Sequence, residues 1–298
     1  MHPADPSRTV VAIFGPTASG KTAAAEAILD AIPAEIVSAD SMQVYQGLPI
    51  LTNQPDRPTA LVAIWPLAHQ SSVGEYQRLA HAAIDHALAE GRTPIVVGGT
   101  GLYLRAAVAE LELPPAPPPG ARERWERLYD RVGPDKAHEA LAERDPQAAQ
   151  AVHPNDRRRV VRALELHEAG GSLSPPRDRL WSDETRHPTL FFGLAVPKSA
   201  LDDRIRRRTE AMFERGVKEE VERARGEDIS QTASQIIGLR EVTELPRAEA
   251  IEAVALATRQ YAAYQRKWMR RIPSIHTVSA DRPAEATAAE ILAALRSD

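Results

Sequence analysis

The eight residues Gly15-Pro16-Thr17-Ala18-Ser19-Gly20-Lys21-Thr22 constrain this chain more than any other segment. They follow the apolar run Val10–Phe14 and lead into Lys21–Ala31, a stretch of strong helix formers. The pattern G-x-x-x-x-G-K-[ST] between a buried strand and a helix is a phosphate-binding loop. Its successive backbone N–H groups form an anion-binding nest, and the helix N-terminus adds partial positive charge. Gly15, Pro16, Thr17, Ala18, Ser19 and Gly20 are the expected cradle. Lys21 is expected to neutralise phosphate oxygens, and Thr22 to hold Mg²⁺ through its hydroxyl. An ordinary glycine turn leaves the strand before and the helix after unexplained.

Other segments extend the same architecture. Ile36–Ser38 is short and apolar and ends at Ala39-Asp40; Pro94–Val97 ends at Gly98-Gly99. Between them, Val73–Glu90 keeps apolar residues at helical spacing, with Ser71 or Ser72 to cap its start and Gly91 to end it. Strands alternating with helices predict an α/β fold with a doubly wound parallel sheet. The pattern changes at Leu113, where five prolines in seven residues read as a stiff linker. Helical stretches follow at Arg122–Val132, Asp145–Val152 and Asp156–Glu168, with no strand until Thr189–Val196. The expectation is a P-loop α/β core, residues 1–112 and 191–298, interrupted by an all-helical insertion domain, 113–190. The pairs Gly170-Gly171 and Pro175-Pro176 help the chain return, and long helices follow at 199–225 and 248–271.

Composition excludes several classes. There is no cysteine, hence no disulfide framework and no thiolate site. No apolar run approaches the ~18 residues of a membrane span, and Met1–Arg8 lacks the basic start of an export signal. A cytoplasmic, monomeric enzyme without membrane attachment fits. The net charge is −4, but it is uneven. Residues 1–112 carry 6 basic against 11 acidic groups, whereas later arginines bunch at 157–159 and 162, at 204 and 206–208, and at 266–271 with Lys267. Local patches of this kind can meet nucleic acid despite a negative sum; solvated helix faces are the plainer alternative.

The loop identifies a phosphate ligand, not a reaction. Nucleotide hydrolases and kinases usually carry a second strand-end acid that supports Mg²⁺, but Ile95–Val97 ends in Gly98-Gly99-Thr100-Gly101. The strand-end acid is Asp40, followed by Ser41-Met42-Gln43-Val44-Tyr45, a set suited to a base or sugar beside the phosphate. On a helical wheel, Arg208 lies at the edge of the face made by Leu201, Ile205 and Met212, where a cation needs an anionic partner.

These blocks, in order, resemble the tRNA dimethylallyltransferases, also called tRNA isopentenyltransferases. They are Gly15–Thr22, Ser38–Tyr45, Val97–Leu104, His153–Glu165, Arg204–Met212, Gln235–Glu241 and Thr258–Gln265. The resemblance implies transfer of a dimethylallyl group from dimethylallyl diphosphate to the exocyclic amine of the adenosine 3′ of the anticodon, with Mg²⁺ and no ATP hydrolysis. It makes Asp40 the general base, and Lys21 and Arg208 the cations on the leaving diphosphate. It places Thr100 beside the reacting nucleotide. Asp40, Ser41, Met42 and Gln43 grip the flipped base, and Arg122 with Arg158, Arg159, Val160, Val161 and Arg162 contacts the tRNA anticodon stem-loop. Two stretches depart from the family pattern. Leu48–Pro55 replaces an Asp-Ile-Gly-Thr-Ala-Lys-Pro segment, and Met269-Arg270-Arg271 lacks an aromatic. A small-molecule P-loop kinase, a free-nucleotide isopentenyltransferase and an idle RNA-binding protein remain as alternatives.

Overall fold

A computed structural model describes residues 9–113, 117–173, 180 and 182–297. Met1–Arg8, part of the proline linker and the Pro175-Pro176 pair lie outside the described residues. The chain divides into two compact units, one formed by residues up to Glu110 and from Asp183 onward, the other by Leu111–Ser182.

The larger unit is α/β. Its strands are β1 (Val10–Phe14), β2 (Ala34–Ser38), β3 (Thr93–Gly98), β4 (Thr189–Ala195) and β5 (His276–Ser279), all parallel in the order β2-β3-β1-β4-β5. Helices α1 (Lys21–Ala31), α2 (Val73–Ala89) and α3 (Gly101–Val108) come from its first segment. All five residues of β1 and all six of β3 are buried, as strands covered on both faces must be. Val11 and Ile13 pack with Ala24 and Ile28 of α1. The alternate residues Val10, Ala12 and Phe14 belong to the other face, where α2 and α3 pack on each other and on the sheet. Ser72 Oγ accepts the Glu75 N–H at 3.2 Å and caps α2, as its sequence suggests.

The smaller unit contains α4 (Ala121–Val132), α5 (Pro134–Arg144), α6 (Pro146–Ala151) and α7 (Arg157–Glu168), with no strand among its described residues. Tyr129, Leu141, Val160, Val161 and Leu164 form its core. The chain re-enters the larger unit at Asp183, earlier than the expected 191. The Arg186 N–H donates to the Val108 carbonyl at 2.8 Å, and its guanidinium pairs with Asp85 at 3.0 Å, before β4 begins.

The expected 199–225 helix is two. Gly216, at φ +89°, ends α8 (Lys198–Glu214) and starts α9 (Val217–Ala224). Residues with side chains seldom adopt that left-handed conformation. Then come α10 (Leu239–Glu244), α11 (Arg247–Met269) and α12 (Ala284–Ser297), which packs on α1. No helix among the described residues is long and apolar enough to cross a membrane.

Candidate active site

The register sets Phe14 beside Gly98 and Ser38 beside Val97, so three neighbouring strands end at one level. The chain leaves β1 toward β2 on one side and leaves β3 toward β4 on the other. Such a switch opens a crevice at the carboxyl ends of a parallel sheet. Three segments meet there: 15–20 after β1, 39–43 after β2 and 98–101 after β3.

The first segment forms a tight loop. The Pro16 carbonyl accepts the Ser19 N–H at 3.1 Å and the Lys21 Nζ at 2.8 Å. Gly20, at φ +89°, turns the chain into α1, whose first N–H groups have no acceptor within the helix. Burial lowers the Lys21 pKa from its usual 10.5 to about 8; Asp40 opposes the shift and Arg208 adds to it. Arg208 reaches the loop from α8 and donates from Nη2 to Thr17 Oγ1 at 2.6 Å. Its Nε is buried with no hydrogen-bond partner among the described residues, and burial lowers its pKa while Asp40 raises it. Two desolvated cations at the mouth of an N–H-lined loop make a site short of negative charge, and an anionic ligand would relieve both. Arg204, one turn earlier, is instead committed to Asp281 at 2.9 Å and the Ala280 carbonyl at 3.1 Å.

The second segment places Asp40 just past β2. Its Oδ1 accepts the Met42 N–H at 2.9 Å, an Asx turn that fixes the carboxylate. Gln43 is engaged at both ends: Oε1 accepts from Ser38 Oγ at 2.9 Å, and Nε2 donates to the Asn53 carbonyl at 2.8 Å. In this arrangement Gln43 holds the 48–55 segment. That segment, where the family pattern is lost, is also gripped by Glu220 of α9. This buried carboxylate accepts the Ile50 N–H at 2.7 Å and the Leu51 N–H at 2.8 Å.

In the third segment, packing explains the glycines. A Cβ at Gly98 would sit 2.1 Å from the Ala39 carbonyl oxygen, one at Gly99 2.1 Å from Gln265 Nε2, and one at Gly101 2.0 Å from the Trp268 ring. Thr100 is the N-cap residue of α3, but its hydroxyl does not cap. It lies 3.3 Å from Ser41 Oγ and 3.1 Å from the Tyr261 hydroxyl. Burial pushes the Tyr261 hydroxyl well above its usual pKa and that of Tyr103 to about 12, so both stay neutral hydrogen-bonding groups.

The sequence model of the IPP transferase family matches residues 43–272. The chain belongs to this family. It is 39% identical to a tRNA dimethylallyltransferase of Thermobifida fusca, over 92% of this chain and 91% of that one. It is 40% identical to one of Streptomyces coelicolor, over 94% and 93%. Among solved structures, the full-length tRNA isopentenylpyrophosphate transferase of Bacillus halodurans is 30% identical, covers 97% of each chain and superposes with a TM-score of 0.67. A eukaryotic dimethylallyltransferase captured acting on tRNA is 25% identical, with a TM-score of 0.75 over 97% of this chain and 80% of that one.

The smaller unit treats its expected family residues unequally. Arg158 and Arg159 are exposed on α7. Arg162 pairs with the buried Glu165 at 3.2 Å, and Arg122 with Glu126 at 3.2 Å. The side chains of Val160 and Val161 are buried in the unit's core, so neither can touch a ligand through its side chain. Arg157, beside Asp156 in sequence, is bonded to Asp130 at 2.8 Å through both Nε and Nη2. Sequence reasoning missed Tyr261, Gln265 and Glu220 as parts of the site and its wall. The first two lie inside a family-like block, while nothing in the sequence distinguishes Glu220 from its acidic neighbours.

Proposed function

We propose that the chain transfers the dimethylallyl group of dimethylallyl diphosphate to the exocyclic amine of the adenosine 3′ of the anticodon in tRNA. One observation carries the reading: in a member of this family, a carboxylate fixed in place stands near two desolvated cations, neither of which makes an ion pair among the described residues. The diphosphate would lie on the first N–H groups of α1 with Lys21 and Arg208. The amine nitrogen bonds to the allylic carbon as that carbon's bond to the diphosphate oxygen breaks. The amine's lone pair is delocalised into adenine, so removing its proton during attack helps by about 10²–10⁴-fold. Asp40 is the base, and the proton ends on its carboxylate. Diphosphate departs with the bonding electrons, stabilised by charges already in place.

Mg²⁺ fits the residues present. Thr22, at the start of α1 beside the loop, offers a hydroxyl oxygen as a hard ligand, and among the described residues no cluster of three His, Cys, Asp or Glu exists to hold a metal alone. Thr22 would hold the ion together with the donor's own oxygens. The ion would supply charge neutralisation on the diphosphate.

The target base must leave its stack, at a cost of a few kcal/mol. Ser41, Met42 and Thr100 would border it, and the exposed Arg158 and Arg159 would take tRNA phosphates. The phosphate-loop reading of 15–22 is part of the same proposal. The test uses labelled dimethylallyl diphosphate with Mg²⁺ and either tRNA or AMP. Label should enter tRNA, and Asp40→Asn should slow single-turnover transfer by roughly 10²–10⁴-fold with tRNA affinity unchanged. Label in AMP alone, or ATP turnover at ~1–100 s⁻¹, rejects the reading.

A further inference from the structure

Gln265 is 2% exposed, an uncommon place for an amide. It projects from α11, and its two ends bond to two different site loops. Oε1 accepts the Thr17 N–H at 2.7 Å, and Nε2 donates to the Gly99 carbonyl at 2.9 Å. The partners fix which end is which, because an N–H can only donate and a carbonyl can only accept. Residue 99 must be glycine for this contact, since a Cβ there would lie 2.1 Å from Nε2. The first glycine-rich loop thus gives one of its backbone donors to the protein and not to a ligand.

Thr17 is held from both sides. Its N–H goes to Gln265 and its hydroxyl accepts from Arg208. The next residue, Ala18, has φ +62°, a left-handed conformation that a residue with a side chain keeps only when its surroundings impose it. Among the described residues, Thr17 bonds to both Gln265 and Arg208.

We propose that Gln265 is a positioning residue for the transfer. Its amide ties Thr17 to the turn after β3, and the Thr17 hydroxyl then seats Arg208 where the diphosphate develops charge. A buried amide with both ends bonded is rigid and costly to leave half satisfied. A displacement of about 1 Å in a reacting constellation can cost ~10² in rate. This inference rests on the proposed donor site at Lys21 and Arg208.

The experiment is a double-mutant cycle read by single-turnover transfer at saturating donor and tRNA, with thermal unfolding and tRNA affinity measured alongside. Gln265→Met keeps length and volume but makes neither bond, and should slow transfer about 10–100-fold with tRNA affinity within about twofold of wild type. Thr17→Ala removes the hydroxyl that seats Arg208. In that background Gln265→Met should slow transfer by less than about threefold further, because the path it acts through is already cut. If the two losses multiply, or if Gln265→Met transfers at the wild-type rate, the positioning role is overturned. If the methionine variant does not fold, Gln265→Asn, too short to span both loops, enters the same cycle with the same criterion. Arg208→Ala separates the two levels. If it transfers normally, the donor-site reading fails; if it is slow while the Gln265 variants are not, only the role of Gln265 fails.

Discussion

A single methyl group at residue 98 should disable the site without touching a substrate. Gly98 ends β3, and a Cβ built there lies 2.1 Å from the Ala39 carbonyl oxygen, 2.6 Å from its carbon and 2.7 Å from its Cβ. Ordinary contact begins near 3.4 Å, so the two backbones must part by about 1.3 Å. Neither yields easily. The Ala39 N–H is bonded to the Val97 carbonyl at 2.7 Å, and Ser38 is in register with Val97. Because Asp40 is the next residue, it moves with Ala39. Overpacking of this kind costs about 1–3 kcal/mol, and a 1 Å displacement of Asp40, the proposed base, about 10² in rate. Urea unfolding of Gly98→Ala should show a lowered midpoint with unchanged slope, and single-turnover transfer should fall about a hundredfold. Gly91→Ala is the control. That glycine has φ +67° but nothing within 4 Å, so it should cost stability alone. If Gly98→Ala has the wild-type midpoint and rate, the close approach of β3 to Asp40 does not position the base.

Two other substitutions probe the rest of the molecule. Arg158→Ala with Arg159→Ala should weaken tRNA binding and lower the salt-dependence slope by about two, one per phosphate contact; adding Arg162→Ala should change little, because Glu165 already holds it, and unchanged affinity in the double variant removes α7 from the tRNA surface. Glu220→Gln should cost about 1–3 kcal/mol, since an amide offers one acceptor where the Ile50 and Leu51 N–H groups need two, and should speed hydrogen exchange at Leu51. Burial raises the Glu220 pKa despite those bonds. The folded state therefore keeps this proton to higher pH than the unfolded state does, and stability falls as pH rises through the window just above the ordinary glutamate range; the Gln variant should lack that slope.

What the sequence discloses of this molecule is what short-range chemistry determines. The loop at 15–22 is legible because its glycines, lysine and flanking elements lie within the 22 residues Val10–Ala31. Asp40 is legible because it ends an apolar run. The doubled segment at 199–225 was not, because both flanks of Gly216 are rich in helix formers and only its φ shows the break. The turn at 98–101 was legible as a glycine-rich turn after a strand but not in its cause. Its glycines answer to Ala39, Gln265 and Trp268, and two of those partners are more than 160 residues away.

Charge clusters show the limit most clearly. Arg204, Arg206, Arg207 and Arg208 form one basic block, and as composition they are equivalent. In the fold, Arg204 pairs with Asp281, Arg206 with Glu210, and Arg207 reaches the Asp203 carbonyl at 3.4 Å. Arg208 alone of the four bonds to the loop after β1. What separates it is phase: it follows Leu201 and Ile205 by seven and three residues and stands on the edge of the stripe that the helix buries. The same criterion sorts the arginines of α7, where Arg158 and Arg159 lie off the face of Val160, Val161 and Leu164. A basic block therefore carries functional information mainly through the position of each residue relative to the apolar stripe. A cation on the edge of that stripe is desolvated, and it must find its countercharge in the protein or in a ligand.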